Sequence, residues 1–207
     1  MKRLKEILEN LKITLSEKKI ILIEDYIEEI INKNEIVGLI SKNDIQLIYE
    51  RHIADSLIPL LSEEISKLFN NVNALDIGSG GGFPSVVLAI AFEKTCFYAA
   101  ESNRKKYEFL LWIKHKLKLE NFHPLNERIT ISHSCRYHII TQRATGKFET
   151  VLKIALPLLL PEGYFISWLS SQDAEKNKKI FNFIYNYSLE GRNMALCVIK
   201  KNKNSSS

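Results

Sequence analysis

The segment LDIGSGGGFPS, residues 75–85, has the composition of a loop that binds a cofactor through its backbone. It follows an apolar run and combines one acidic residue with three alternate glycines, namely Asp76, Gly78, Gly80 and Gly82. Glycines at such a turn let the backbone approach a ligand where any Cβ atom would collide. A second acidic residue, Glu101, ends the next apolar run, a helix-length segment later. The pattern predicts a cofactor site at the end of two neighbouring strands.

The spacing of the glycines distinguishes between two cofactor classes. A dinucleotide fingerprint starting at Gly78 would need glycine where the chain has Phe83, and a large side chain there blocks the close helix approach. S-adenosylmethionine has no pyrophosphate, and a carboxylate such as Glu101 can accept hydrogen bonds from both of its ribose hydroxyls. The sequence therefore favours S-adenosylmethionine and leaves an NAD-dependent oxidoreductase as an outside alternative.

These residues need a sheet to position them, and the apolar pattern predicts one. Residues 4–68 carry apolar side chains at helical spacing, and apolar runs that alternate with helix-length segments follow. The predicted strands are residues 72–77, 95–101, 122–126, 137–142, 162–169 and 193–201, and the later predicted helices include 103–119 and 147–160. Such alternation predicts an α/β fold with a mostly parallel sheet and helices on both faces. We divide the chain into an N-terminal helical extension (1–70), a core (71–201) and a polar tail (202–207).

Composition limits the class of protein and its partners. The 207 residues are 45% hydrophobic and 26% charged, which is typical of a globular domain, and the net charge of +5 suits an anionic partner such as nucleic acid without proving one. The three cysteines form no CxxC pair, and no run of about 18 apolar residues occurs. We expect a cytoplasmic monomer that does not bind a membrane. We also expect no metal site, because His52 has no second His or Cys at ligand spacing.

Four stretches together resemble one known family. They are LDIGSGGGFPSVVLAIA, YERHIADSL, ESNRKKYEFL and LKLENFHPLNERI, and the resemblance extends from about residue 32 to residue 200. The family is RsmG, also called GidB, which methylates N7 of a guanine in 16S ribosomal RNA. The resemblance implies a Rossmann-like class I S-adenosylmethionine-dependent methyltransferase whose substrate is 16S rRNA or the small ribosomal subunit.

The resemblance also implies roles for individual residues. It implies that Gly78 and Phe83 contact S-adenosylmethionine, although Phe83 could equally be a core residue. It implies that Glu101 binds the ribose and that Arg143 contacts the cofactor nearby. Ile129 and Thr130 would then lie beside the adenine.

No catalytic acid, base or nucleophile stands out in the sequence, and N7 of guanine needs none because it already carries an in-plane lone pair. His52 and Asp55 are three residues apart on one helical face, where they could position a substrate or form a structural pair. With Arg143 they are the candidates for positioning.

Basic residues near the predicted site are candidates for binding RNA. The helix beginning at Arg104 carries six basic residues up to Lys118, which could form a track for phosphates or an ordinary solvated face. The candidates closest to the cofactor loop are Arg51, Arg104, Lys105 and Lys106.

The chain departs from the family pattern at Thr130, Gln142, Leu169 and Ser170. The last two stand where the family usually has Lys-Gly, so a positive charge at the substrate mouth is absent. Three classes of function therefore stay open. They are an rRNA methyltransferase, which is favoured, a methyltransferase with a different acceptor, and a non-catalytic module that binds the cofactor or RNA.

Overall fold

A seven-stranded sheet lies at the centre of the computed structural model, which describes residues 1–203. The strands are β1 (Asn73–Ile77), β2 (Cys96–Ala100), β3 (Phe122–Leu125), β4 (Tyr137–Arg143), β5 (Leu159–Ser170), β6 (Phe183–Leu189) and β7 (Arg192–Lys200). Their order is β3-β2-β1-β4-β5-β7-β6, and β7 is antiparallel to both of its neighbours while β1 to β5 pair in parallel. The predicted mostly parallel α/β sheet is confirmed.

Helices precede and flank the sheet. They are α1 (Lys2–Leu11), α2 (Glu17–Val37), α3 (Asp55–Leu57), α4 (Glu63–Leu68), α5 (Ser85–Ala91), α6 (Arg104–Lys116), α7 (Phe148–Leu158) and α8 (Ser171–Lys176). A π-helical segment, Tyr49–Ala54, leads into α3. Both ends of α2 are capped: the Ser16 hydroxyl accepts from Lys19 N at its start, and Gly38 ends the helix with a φ of 69°.

Both faces of the sheet are covered, and the N-terminal helices belong to one of the two cores. Leu4 of α1, Ile23 of α2 and Ile53 lie in the same buried cluster as Val86 and Phe97. The opposite face packs against α7 and forms a second cluster. Because the first 70 residues share a core with the sheet, they cover its face and position residues near the glycine loop. The division at residue 70 stays a prediction.

The structure differs from the sequence-based prediction most clearly around β5 and β6. The helix predicted over 147–160 ends at Leu158, and β5 already begins at Leu159, where it pairs with Tyr137 before a register shift. The strand β6 was not predicted at all. It is an edge strand of half-buried and exposed residues, joined to β7 by a turn in which Glu190 and Gly191 have positive φ. Its apolar signal is weak because most of its side chains stay partly in water.

None of the helices within residues 1–203 combines the length and the apolar character needed to cross a membrane. The polar tail was predicted over 202–207, and residues 204–207 of it lie outside the described residues.

Candidate functional site

The glycine loop begins where β1 ends and turns across the neighbouring strand β2. The backbone N–H groups of Gly78 and Ser79 both donate to the carbonyl of Ala100, at 2.9 and 3.0 Å. Gly78, Gly80 and Gly82 have φ values of 72°, 57° and 103°, a region that favours glycine. A Cβ atom on Gly78 would lie 2.2 Å from the Thr145 side chain, whereas the nearest atom to one on Gly80 is 4.0 Å away. The loop therefore leaves open space above Gly80.

Glu101 holds this loop directly. Its Oε2 atom accepts from Gly80 N at 2.9 Å, and its Oε1 atom accepts from Asn103 N at 2.7 Å. The structure thus brings Glu101, which follows β2, into contact with the glycine loop that follows β1. A carboxylate has about four acceptor positions, so each oxygen retains capacity for a ligand hydroxyl.

A cavity of about 250 Å³ lies beside Gly78, at the carboxyl ends of β1 and β2. Its lining residues are Ile77, Gly78, Ala100, Ser102, Glu127, Arg128, Ile129, Thr145, Val151 and Ile154. Ile129, predicted from the family resemblance, is part of this wall. Thr130 is exposed, and its hydroxyl lies 2.8 Å from that of Ser132, so it sits next to the wall and not in it. The cavity is mostly apolar with a polar edge, which suits a flat heterocyclic ring.

Asp76 lies beneath the loop. The residue is 1% exposed, its Oδ1 atom accepts from the Thr141 hydroxyl at 2.9 Å, and Oδ2 has no hydrogen-bond partner among residues 1–203. Burial raises the pKa of Asp76 to about 6. In this conformation Asp76 supports the loop from below, and its contact with a cofactor stays a prediction.

Phe83 connects the glycine loop to the N-terminal helices. It is 5% exposed, and its ring centroid lies 5.2 Å from that of Tyr26 and 4.7 Å from that of His52. The guanidinium carbon of Arg143 lies 5.3 Å from the same ring, within the range of a cation–π contact. Phe83 is therefore both a loop residue and a core residue.

The three positioning candidates form one hydrogen-bonded network. Arg143 Nη1 donates to Asp55 Oδ2 at 2.8 Å, and Arg143 Nη2 donates to His52 Nδ1 at 2.6 Å. The same guanidinium donates to the carbonyl of Arg51 at 3.0 Å. Arg143 thus joins the end of β4 to the segment before α3. These donors face the N-terminal helices, and a direct contact between Arg143 and the cofactor stays a prediction.

Two further residues of this network were missed in the sequence. The Tyr187 hydroxyl, on β6, donates to Asp55 Oδ1 at 2.6 Å, and Trp168 Nε1, on β5, donates to the Asp55 carbonyl at 2.8 Å. Neither belongs to a motif near the glycine loop. A signal did exist for Tyr187, because the aromatic residues Phe183, Tyr185 and Tyr187 alternate as they do in a half-buried strand.

Burial sets the protonation of this network. Burial, assisted by the neighbouring Arg143 charge, lowers the pKa of His52 to about 3, so the imidazole is neutral at pH 7. Its Nδ1 atom accepts from Arg143, which places the proton on Nε2, 3.9 Å from Asp44 Oδ2. Burial and the Asp55 carboxylate raise the pKa of Tyr187, which keeps its hydroxyl a donor. The lone pair of His52 is therefore already engaged.

The basic residues near the site are only partly available for phosphate. Arg51 forms an ion pair with Asp44 at 2.6 Å, and Arg104 pairs with Glu108 at 2.9 Å. Lys105 is exposed and Lys106 is half-buried at the start of α6, one turn from Glu101. Lys116, farther along the predicted track, pairs with Glu29 of α2 at 3.0 Å, and the track along the helix stays a prediction.

Three of the four positions that depart from the family pattern, Gln142, Leu169 and Ser170, lie at the ends of β4 and β5. Gln142 is 2% exposed and accepts from the Ser167 hydroxyl at 2.8 Å. Leu169 is 8% exposed, and the Ser170 hydroxyl caps α8 by accepting from Asp173 N at 3.1 Å. Within residues 1–203, no group of three or more His, Cys, Asp and Glu side chains is arranged to hold a metal ion.

Comparison with known proteins identifies the family. Residues 19–201 match the family described as rRNA small subunit methyltransferase G, GidB. The ribosomal RNA small subunit methyltransferase G of Aster yellows witches'-broom phytoplasma is 33% identical over 82% of this chain and 81% of its own length. The protein of the same name from Lysinibacillus sphaericus is 29% identical over 84% of this chain and 74% of its own length. The chain belongs to the GidB family.

Solved structures agree with this fold. TehB from Haemophilus influenzae matches with a TM-score of 0.55 at 15% identity, over 78% of this chain and 67% of TehB. A methyltransferase from Pyrococcus furiosus matches with a TM-score of 0.54 at 15% identity, over 86% of this chain and 98% of its own. This GidB family member therefore has the Rossmann-like class I methyltransferase fold that its sequence predicted.

Proposed function

We propose that the chain transfers a methyl group from S-adenosylmethionine to N7 of a guanine in the 16S rRNA of the small ribosomal subunit. The observation that supports this most directly is the contact between Glu101 and the glycine loop beside a cavity of about 250 Å³, in a chain of the GidB family. One partner of this contact, Glu101, is the residue that the family resemblance assigns to the ribose.

The residues present fit S-adenosylmethionine. Glu101 retains acceptor capacity for the ribose hydroxyls, and the space above Gly80 admits a ligand close to the backbone. The apolar wall that includes Ile129 would hold the adenine, with Thr130 at its outer side. Gly78 and Phe83 would shape the part of the loop that faces the methionine group, and Asp76 and Gly82 would hold the loop in this shape.

The chain's own contribution to the reaction is positioning. When bound, S-adenosylmethionine supplies an electrophilic methyl group on its sulfonium centre. Guanine N7 carries an in-plane lone pair, so the chain does not need to remove a proton from it. The site accords with this, because the His52 lone pair is taken by Arg143 and both Asp55 oxygens accept hydrogen bonds. Holding the two reactants in line can account for a large part of the acceleration.

The His52–Asp55–Arg143 network would serve this positioning indirectly. It fixes the end of β4 against Phe83, and Thr145 next to Arg143 donates to the Gly78 carbonyl at 3.0 Å. A shift of Arg143 would therefore reach the cofactor loop through Phe83 and Thr145.

RNA binding would begin at the start of α6. Lys105 and Lys106 lie close in sequence to Glu101 and can meet phosphates beside the cofactor. Arg104 and Arg51 would need to exchange their carboxylate partners for phosphate oxygens. Such contacts would be independent of base sequence, with the target base unstacked and inserted into the site.

A methyl-transfer assay tests the proposal. The chain is incubated with S-adenosylmethionine labelled in its methyl group and one of three acceptors: small subunits lacking N7-methylguanine, naked 16S rRNA, or small subunits already methylated. We expect label in an unmethylated acceptor and none in the methylated control. Cofactor binding by calorimetry without label in either unmethylated acceptor would contradict the proposal and favour a different acceptor or a non-catalytic module.

A further inference from the structure

An exposed tryptophan lies on α6, outside both the cofactor cavity and the network around Arg143. Trp112 is 49% exposed, whereas the chain's other tryptophan, Trp168, is 4% exposed and hydrogen-bonded. Tryptophan has a large apolar surface with a polar edge, and it is enriched where proteins meet their partners. A half-exposed indole on a helix surface therefore indicates a binding surface.

The indole of Trp112 is held in one orientation. Its Nε1 atom donates to Glu29 Oε2 on α2 at 3.0 Å, and Glu29 Oε1 also pairs with Lys116 of α6 at 3.0 Å. Because Glu29 is buried, this contact anchors the edge of the ring while much of the ring stays in water. A ring that is already fixed loses little conformational freedom when a flat ligand stacks on it.

Lysines lie around this ring. Lys33 Nζ of α2 is 5.7 Å from the ring centroid and Lys116 Nζ is 6.0 Å from it, both at the outer limit of a cation–π contact. Lys105 precedes Trp112 by seven residues, so it lies on nearly the same face of α6, about 10 Å closer to the start of the helix. In the part of the chain that the structure describes, neither Lys33 nor Lys105 forms an ion pair.

The carboxylates beside Trp112 already have partners. Glu29, which accepts from the indole, pairs with Lys116, and Glu108, one turn before Trp112, pairs with Arg104. The two unpaired lysines are therefore available to an anionic ligand. Proteins bind single-stranded RNA through this combination, because bases stack on an aromatic ring while nearby cations meet the phosphates.

We propose that Trp112 stacks on an unpaired base of the substrate RNA and that Lys33 and Lys105 bind phosphates on either side of that nucleotide. The inference rests on the proposed function for RNA as the partner, but it concerns a surface outside the cofactor site. Trp112 lies eight residues, or about 12 Å, along the axis from the first residue of α6, and α6 begins three residues after Glu101. The stacked base is thus a neighbour of the target nucleotide and not the target itself.

Two substitutions of Trp112 separate stacking from a structural role. Trp112→Phe keeps an aromatic ring but loses the hydrogen bond to Glu29, whereas Trp112→Ala loses both. Ile180→Ala is the matched control, because Ile180 is a similarly exposed apolar residue, at 45%, between α8 and β6. We expect the Kd for single-stranded RNA to rise about tenfold in Trp112→Ala, to rise less than about threefold in Trp112→Phe, and to stay unchanged in Ile180→Ala.

Tryptophan fluorescence and RNA anisotropy measure this contact without methyl transfer. A single-stranded RNA of about twelve nucleotides and mixed sequence is added at low salt to the full chain in the absence of S-adenosylmethionine, and the same RNA is added as a duplex in parallel. We expect the single strand to quench the fluorescence of Trp112 and the duplex to quench it less, because paired bases cannot stack on the ring. The anisotropy of the same RNA carrying a dye gives the Kd of each variant.

This result would support the RNA surface even if no acceptor in the methyl-transfer assay were labelled. Absence of quenching in the wild-type chain, equal quenching by the duplex, or the same Kd in Trp112→Ala as in Ile180→Ala would overturn the inference. An equal loss of affinity in Trp112→Phe and Trp112→Ala would also overturn it, since the hydrogen bond to Glu29 and not the ring would then be responsible.

Two further controls complete the experiment. Wild-type fluorescence that changes with protein concentration in the absence of RNA would assign Trp112 to a contact between two copies of the chain and would overturn the inference. Thermal melting of each variant is recorded, because Trp112 joins α6 to α2. If Trp112→Ala unfolds, Trp112→Leu replaces it, and the same loss of affinity is expected because leucine has no ring.

Discussion

At the scale of single residues, Gly78 carries the strictest steric requirement of the cofactor loop. Its φ of 72° disfavours any side chain, and a Cβ atom there would lie 2.2 Å from Thr145 Cγ2 and 2.7 Å from Thr145 Oγ1. Thr145 also donates to the Gly78 carbonyl, so a clash would disturb a hydrogen bond between the two loops. A side chain at this position would therefore strain the backbone and change the shape of the cofactor cavity.

The substitution Gly78→Ala should weaken cofactor binding strongly. We expect at least a tenfold loss of affinity for S-adenosylmethionine by calorimetry, because the loop must shift away from Thr145, and a loss of about 1 to 3 kcal/mol in the free energy of unfolding. Gly191→Ala is the matched control, since Gly191 has a φ of 69° and open space around its Cβ position in the β6–β7 turn. It should lose about 1 kcal/mol of stability and keep full affinity. Equal affinities in the two variants would contradict this account of the loop.

His52 should make stability depend on pH in a defined direction. Its pKa is lowered to about 3 in the folded chain from an ordinary value of 6.5, so between these two values the unfolded state binds more protons. The free energy of unfolding should therefore fall as the pH drops from about 6.5 toward 3, by up to about 1.4 kcal/mol per pH unit from this group.

Urea unfolding of the wild-type chain and of His52→Gln between pH 7.5 and pH 4.5 measures this contribution. The wild-type chain should lose stability more steeply below about pH 6.5 than the variant does. Parallel curves would show that His52 is not held neutral by burial and Arg143.

At the scale of elements, the N-terminal helices form part of the site. Tyr26 of α2 donates to the Gly81 carbonyl at 2.6 Å, and a Cβ atom on Gly82 would lie 2.8 Å from the same hydroxyl. Burial raises the pKa of Tyr26, which keeps this donor protonated. The N-terminal extension therefore packs against the glycine loop and restricts the movement of that loop.

The hairpin of β6 and β7 contributes Tyr187 to the network around Asp55. Tyr187 on β6 and Arg143 on β4 bind opposite oxygens of the buried Asp55 carboxylate. An edge strand thus completes a network whose other members lie at the end of β4 and before α3.

Tyr187→Phe tests this contribution. Removing the hydroxyl leaves a buried carboxylate oxygen without its donor, so we expect a loss of about 1 to 3 kcal/mol in the free energy of unfolding. Tyr185→Phe, on the same strand, is the control and should change stability by less than about 0.5 kcal/mol. An equal loss in the free energy of unfolding in the two variants would show that the hydrogen bond from Tyr187 to Asp55 does not stabilise the fold.

At the scale of the whole molecule, the parts of the site that were predictable are those encoded locally. The strand β1, the alternate glycines and Glu101 after β2 lie within residues 73–101, and parallel pairing of β1 with β2 brings them together. Hydrophobic periodicity was sufficient to predict the long helices and the existence of the buried strands, whereas the short helix α8 was not predicted.

The other parts depend on contacts between residues far apart in the chain. Asp55 meets Arg143 across 88 positions and Tyr187 across 132, and no local pattern specifies such pairs. The pairing of Lys116 with Glu29 was likewise not predictable, because Glu29 lies on another helix. The start of β5 was misplaced because Leu159 and Leu160 continue the apolar run of α7, whereas pairing with β4 decides their conformation.

The most direct test of the central claim is the position of the transferred methyl group. Small subunits lacking N7-methylguanine are labelled by the wild-type chain, and their 16S rRNA is then cleaved chemically at N7-methylguanine and mapped, with a reaction that omits the chain as the control. We predict a single wild-type-dependent cleavage at one guanine, in the fragment that carries the label. Label that maps to another base or atom, or label in a ribosomal protein with no cleavage of the RNA, would contradict the account.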